Sequence, residues 1–368
     1  MDFGETSEQG MLREAVRKIA SGFGHSYYLE AARAGRKTTE LWDAVAAGGY
    51  VGVNLPEAYG GGGMGITELA IVAEELSAQG CPLLLLVVSP SICGEVIARF
   101  GAEEQKKAWL PGIASGKRKM IFAITEPDAG SNSHNIATVA TRDGDTWRIR
   151  GQKCYISGAD EAEQVLVVAK TGLDAKGLTK TPIPVEIVGP EKQFSLFFDD
   201  VVVGPDRLVG GEGEALKPLF LGLNPERIMG AATALGTGRY ALDKACAYAN
   251  SRKVWGVPIG AHQGLAHPLA KAKIELELAR LMTQKAAWVF DSGKDAGEPA
   301  NMAKYAAAEA ALACLDQAIQ VHGGNGFATE YGLLDAWGAT RLARTAPVSR
   351  EMILNFVAEH ALKLPRSY

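Results

Sequence analysis

Two runs of this chain carry the side chains best suited to chemistry: Thr125-Glu126-Pro127-Asp128-Ala129-Gly130-Ser131 and Lys153-Cys154-Tyr155-Ile156-Ser157. The first offers hydroxyls, backbone amides in a turn, and a glycine that lets another group come close to the main chain. The second ends on an aromatic ring and a hydroxyl. Between them lie a strand-like segment (136–142), an Asp143-Gly144-Asp145 turn and a second strand (147–150). Such a density of hydroxyls and amides suits a large, polar, phosphorylated cofactor. A third run, Asn224-Pro225-Glu226-Arg227, reads as the start of a helix, with Asn as N-cap and Pro in the first turn. An acidic residue is favoured in that turn by the helix dipole alone, whatever else it does.

The elements that must position these groups change period along the chain. Residues 1–118 read as helical, with apolar residues at helical spacing over 11–34, 41–47, 66–79 and 103–114. The four glycines 60–63 read as a loop without stiffness of its own. Strand-like runs follow at 120–125, 136–142, 147–156, 165–170 and 193–203, punctuated by Gly, Asp and Pro. From 213 onwards the pattern is helical again, over 224–250, 264–290, 299–321 and 347–362. The predicted architecture is therefore α+β and multidomain: an N-terminal helical domain (1–118), a middle antiparallel β domain (119–212) and a C-terminal four-helix bundle (213–368).

Composition narrows the function classes. Hydrophobic residues make up 47% and charged residues 22%, ordinary for a soluble globular protein. The net charge of −4 gives no basic field for nucleic acid or anionic lipid. The strongest apolar run, 83–88, is far shorter than the roughly 20 residues a membrane span needs. The acidic start, Met1-Asp2-Phe3-Gly4-Glu5, is unlike a signal peptide. Cys81, Cys93, Cys154, Cys246 and Cys314 are scattered and read as buried free thiols of a reducing compartment. His134, His267 and His360 lack neighbours at metal-ligand spacing, so no metal is expected. Together these point to the cytoplasm, or to the mitochondrial matrix as a mature chain.

Taken with Ser251-Arg-Lys-Val-Trp-Gly-Val-Pro-Ile-Gly-Ala-His-Gln263 and Gln320-Val-His-Gly-Gly-Asn-Gly-Phe327, the 122–157 segment resembles the acyl-CoA dehydrogenase family of FAD enzymes. The resemblance implies that FAD sits between the β domain and the bundle, in a homotetramer. It assigns Phe122, Ile124 and Thr125 to the flavin ring region and Ser131 to the phosphates of flavin and CoA. Tyr155 and Ser157 fall at the flavin face, where a hydroxyl donor would favour charge arriving at flavin N5. Arg252 would reach the FAD pyrophosphate of a neighbouring subunit, a task suited to guanidinium. Trp255 would pack near that flavin, while His262, Gln263, Gln320, Gly323 and Gly324 would touch the adenosine side. A plainer account of each exists: strand-end hydroxyls, a solvated arginine at a helix end, a glycine helix cap.

The family's reaction needs a carboxylate facing the flavin to take the proton next to the thioester. In many members it belongs to a Tyr-Glu-Gly-Thr segment; here the matching position is Ala346, which cannot take a proton. The isovaleryl-CoA and long-chain types carry the base in a Glu-Arg pair on another helix, which matches Glu226-Arg227 and makes Glu226 the candidate. The helix N-terminus would lower its pKa and desolvation would raise it, and the sequence leaves open which prevails. Asn224 and Arg227 match positions that contact substrate or its CoA part. A second departure is the short 172–181 stretch, where relatives carry a longer hairpin. The expected activity is conversion of an acyl-CoA to its trans-2-enoyl-CoA, with electrons passed to an electron-transfer flavoprotein. Two rivals stay open: a flavin oxidase or monooxygenase on this scaffold, and a non-catalytic acyl-CoA-binding subunit.

Overall fold

The computed structural model describes residues 4–171 and 177–366, with the side chains of 171, 216 and 217 left aside. Helix α1 (Ser7–Arg33) starts where Thr6 and Gln9 bond each other's backbone amides, a capping box. It bends at Gly24, whose φ of 74° is open to glycine. α2 (Thr39–Ala47), α3 (Ile66–Ala78), α4 (Leu84–Val88), α5 (Glu95–Phe100) and α6 (Glu103–Ala114) complete the N-terminal helices. A π-helical turn, Ser89–Gly94, joins α4 to α5. The 60–63 glycines form the expected loop, which is held by the preceding segment rather than by stiffness of its own. Gly62 and Gly63 donate to the carbonyls of Gly52 and Leu55, and a Cβ on Gly61 would come within 2.1 Å of Leu55 O.

The β region comprises β1 (Met120–Ala123), β2 (Val139–Asp143), β3 (Thr146–Ser157), β4 (Gln164–Val167), β5 (Lys170–Thr171), β6 (Leu178–Ile183) and β7 (Gln193–Val203). Five strands form one sheet in the order β5-β2-β3-β7-β6, antiparallel except for β2 with β5, while β1 and β4 pair in parallel. Gly144, with φ 58°, makes the tight β2–β3 turn. Strand β6 was not anticipated, because its residues are mostly exposed and give no alternating signal. Of the short 172–181 stretch, residues 172–176 lie outside the described residues.

Helix α7 (Leu216–Ser251) corrects a second expectation. Asn224 and Pro225 do not begin this helix; they lie inside it. A β-hairpin of β8 (Lys253–Val254) and β9 (Val257–Pro258) leads to α8 (Gln263–Asp291) and α9 (Gly297–His322). The predicted fourth helix (347–362) is present as α11 (Arg350–Phe356), capped by the Ser349 hydroxyl and extended by a π-helical turn, and an additional helix, α10 (Leu333–Leu342), precedes it. Alanines 300, 303, 307, 310, 311 and 318 of α9 are buried, and such small residues let α7 and α9 approach closely. One apolar core runs through all three regions, from Leu12 and Leu69 through Phe194 to Ile228, Leu276 and Leu315. Where α3 meets α1 and α7, buried Glu74 and Glu75 pair with Arg13, Arg17 and Arg239, so these carboxylates do not enter the core uncompensated. Of the cysteines, Cys81, Cys93, Cys154 and Cys314 are buried as expected; Cys246 is exposed. No helix among the described residues is long and apolar enough to cross a membrane.

Candidate active site

A cavity of about 90 Å³ opens where the end of β1, the end of β3, the α4–α5 turn and α7 converge. Phe122, Ile124 and Thr125 form one wall, and Tyr155, Ile156 and Ser157 a second. Val88 and Ile92 add aliphatic surface, and Glu226 is the acidic side chain in the lining. Six residues singled out from sequence thus meet in one place: Phe122, Ile124, Thr125, Tyr155, Ser157 and Glu226.

Local geometry explains the walls. Between Lys153 and Ile156 the β3–β7 register shifts, a bulge that puts Tyr155 at φ 55° and leaves the residue 63% exposed. The Cys154 amide donates to Thr125 O at 2.9 Å, tying the two walls together. The Ser157 hydroxyl and the Gln193 side chain hydrogen-bond each other, with a 3.0 Å bond from Gln193 Nε2. Ser89 anchors the π-helical turn by accepting from the Met120 amide at 3.0 Å. π-Helical turns recur at functional sites, and this one presents Ile92 to the cavity.

Glu226 lies in the third turn of α7, so the helix N-terminus expected to stabilise its charge is absent. The residue shares the cavity lining with Val88, Ile92 and Phe122, and desolvation pushes its pKa up to about 7, only partly offset by the cations of Arg227 and Lys304. Burial therefore prevails over the charges. Arg227 turns back onto its own helix, donating to Leu223 O and to Asn224 Oδ1, and its Nε is buried without a partner. Lys304, which sequence reasoning passed over, is 2% exposed on α9, with its own pKa pushed down to about 8 by burial and by Arg227. A lysine in an alanine-rich apolar stripe was the signal available. Ala346 is exposed and not part of the cavity lining.

The remaining predicted residues lie away from this cavity. Ser131 is exposed on the loop beyond the Glu126–Ala129 turn. Arg252 caps α7 at its C-terminus, with an exposed side chain. Trp255, at the tip of the β8–β9 hairpin, is 87% exposed with φ 51°. Its ring meets that of His262 edge-on at 5.7 Å, and His262 Nε2 is buried without a partner. Gln263 opens α8, and Gln320 lies in the last turn of α9; both are exposed. Gly323 ends α9 at φ 57° and ψ −132°, a conformation for glycine, and it and Gly324 face open space.

Three family descriptions match the chain: "Acyl-CoA dehydrogenase, N-terminal domain" over 6–117, "middle domain" over 121–191 and "C-terminal domain" over 220–362. The chain belongs to the acyl-CoA dehydrogenase family. It is 57% identical to acyl-CoA dehydrogenase FadE12 of Mycobacterium tuberculosis over 383 residues, spanning 100% of this chain and 99% of that protein. The solved glutaryl-coenzyme A dehydrogenase–glutaryl-CoA complex superposes with a TM-score of 0.95 at 28% identity, covering 100% and 98% of the two chains. An FAD complex of PigA gives 0.92 at 25% identity over 99% and 100%. The chain is thus an FAD-dependent oxidoreductase. The donor set of the cavity agrees with that cofactor: hydroxyls of Thr125 and Ser157 and the exposed Tyr155 ring face one space, as a planar, polar ring system requires.

Proposed function

We propose that this acyl-CoA dehydrogenase converts an acyl-CoA thioester to its trans-2-enoyl-CoA, with Glu226 as the base. The observation that carries the reading is the position of the Glu226 carboxylate on the same cavity as Thr125, Tyr155 and Ser157. FAD, when bound, supplies the acceptor for the hydride. Glu226 takes the proton from the carbon next to the thioester, and its raised pKa matches it to a weakly acidic carbon. Thr125 and Ser157 orient the flavin through their hydroxyls, while Phe122, Ile124 and Tyr155 exclude water from it. Ser131, Asn224 and Arg227 are proposed to serve the CoA side.

The division 1–118, 119–212 and 213–368 is kept as the proposed domain plan. We further propose a homotetramer in the cytoplasm that passes electrons to an electron-transfer flavoprotein. Exposed Arg252, Trp255, Gln263, Gln320, Gly323 and Gly324, with His262 behind them, would then complete the FAD site of a neighbouring subunit.

The test is anaerobic mixing of the holoenzyme with straight, branched and cyclic acyl-CoAs. Bleaching of the flavin's visible band by at least one of them is expected. No bleaching with any of them would overturn the reading; in a separate aerobic assay with an electron-accepting dye, oxygen uptake without dye reduction would point to an oxidase instead.

A further inference from the structure

The ion pair of Lys153 and Glu126 is outside the cavity lining but is bonded or joined in sequence to residues on both segments that form it. Its side chains are 0% and 5% exposed. Lys153 Nζ donates to Glu126 Oε1 at 2.8 Å and to the carbonyl of Ile124 at 2.9 Å. Ile124 and Thr125 are wall residues, and Lys153 begins the bulge that turns Tyr155 towards the cavity. The carboxylate reaches further. It accepts from the backbone amides of Thr138, at 2.9 Å, and Ala137, so one side chain closes the loop that carries Gly130 and Ser131. Burial opposes its charge, but the bonds from Ala137, Lys153 and Thr138 outweigh that and hold its pKa down at about 2.

A buried ion pair is a poor source of stability, because desolvation cancels much of the attraction between the partners. Its directional bonds are another matter. One ammonium fixes the Ile124 carbonyl relative to β3, and one carboxylate fixes the turn at 126 relative to the start of β2. We propose that Lys153 and Glu126 are positioning residues that set the separation and orientation of the two walls of the flavin site. The pair touches neither cavity nor substrate; it acts through Thr125 and Tyr155. This rests on the reading above that residues 124–125 and 155–157 face the flavin.

The test compares K153M, E126Q and the double variant K153M/E126Q with the wild-type holoenzyme, and includes T125A as a control on the wall itself. The readouts are the visible circular dichroism of bound flavin, turnover per bound flavin and thermal stability. Altered flavin dichroism with at least about a tenfold loss of turnover per bound flavin is expected, since small displacements of reacting groups are costly. The double variant leaves no lone buried charge and decides the matter should a single variant fail to fold. Unchanged dichroism and turnover per flavin, with only a lower melting temperature, would make the pair a folding element and overturn the proposal. If T125A alters the dichroism and the double variant does not, the pair's role alone is lost. If neither alters it, the wall assignment falls as well.

Discussion

Lys304 donates from its buried ammonium to the carbonyl of Val348, two residues beyond Ala346. The same α9 helix holds the 343–350 segment a second time, through Glu309, which pairs with both Arg344 and Arg350. Lys304 thus anchors the segment that carries the base in many relatives, while its charge favours the ionised form of Glu226. Removing that charge should leave Glu226 harder to ionise. In K304M the pH midpoint for turnover is expected to move upward, by up to about one unit. A pH–rate profile of kcat/KM with an unmoved midpoint would show that the two groups are not coupled.

As the proposed base, Glu226 can accept a proton only when ionised, and desolvation holds its pKa at about 7. Turnover should therefore rise with pH through about 7 and then level. Replacing the carboxylate with an amide keeps its shape and removes its basicity, so Glu226→Gln should keep FAD and lose about a thousandfold or more in turnover. Full activity in a flavin-loaded E226Q preparation would move the base elsewhere.

A raised carboxylate pKa also has a stability sign. Glu191, beside the Leu84 amide and within reach of the Glu161 charge, is pushed up to about 7, chiefly by burial. The folded state then holds its proton more tightly than the unfolded chain, whose value is near 4.5. The associated stability is fully present below pH 4.5 and is lost as pH rises through about 7. Glu191→Gln mimics the protonated form, so it should stabilise the protein at pH 8 by on the order of 1–2 kcal/mol and have little effect at pH 4.5. Thermal melts at the two pH values would check this; equal effects at both would contradict the linkage.

Much of this site was legible before the structure, and the gaps have physical causes. Thr125, Tyr155 and Ser157 stood out because the 122–157 segment resembles the acyl-CoA dehydrogenase family, whereas hydroxyls at strand ends have a plain structural account by themselves. Pro225 misled because Asn-Pro is a strong start signal, whereas a proline inside a 36-residue helix is tolerated when tertiary packing outweighs one lost hydrogen bond. That error placed Glu226 at a helix terminus and hid the fact that desolvation controls it. Lys304 and the Lys153–Glu126 pair were missed because burial of a charge is invisible to composition and period. Strand β6 and helix α10 were missed where exposure on several faces erases the pattern that marks an element.

Trp255 and Arg252 give the last prediction. An indole 87% exposed at a hairpin tip, held at a positive φ, is costly to leave in water, and a neighbouring subunit is the cover proposed above. If Arg252 grips the pyrophosphate of that neighbour's FAD, flavin retention must depend on association. Dilution of the holoenzyme should then release flavin in step with dissociation into smaller species. Arg252→Met should weaken FAD retention by about tenfold or more, since a guanidinium–phosphate pair is charge-assisted and often doubly hydrogen-bonded. Its melting temperature without flavin should stay unchanged, because the side chain is exposed and lies at the end of α7. Light scattering and flavin fluorescence on one dilution series would test both. Retained flavin in a dissociated chain would mean that each subunit holds its cofactor alone.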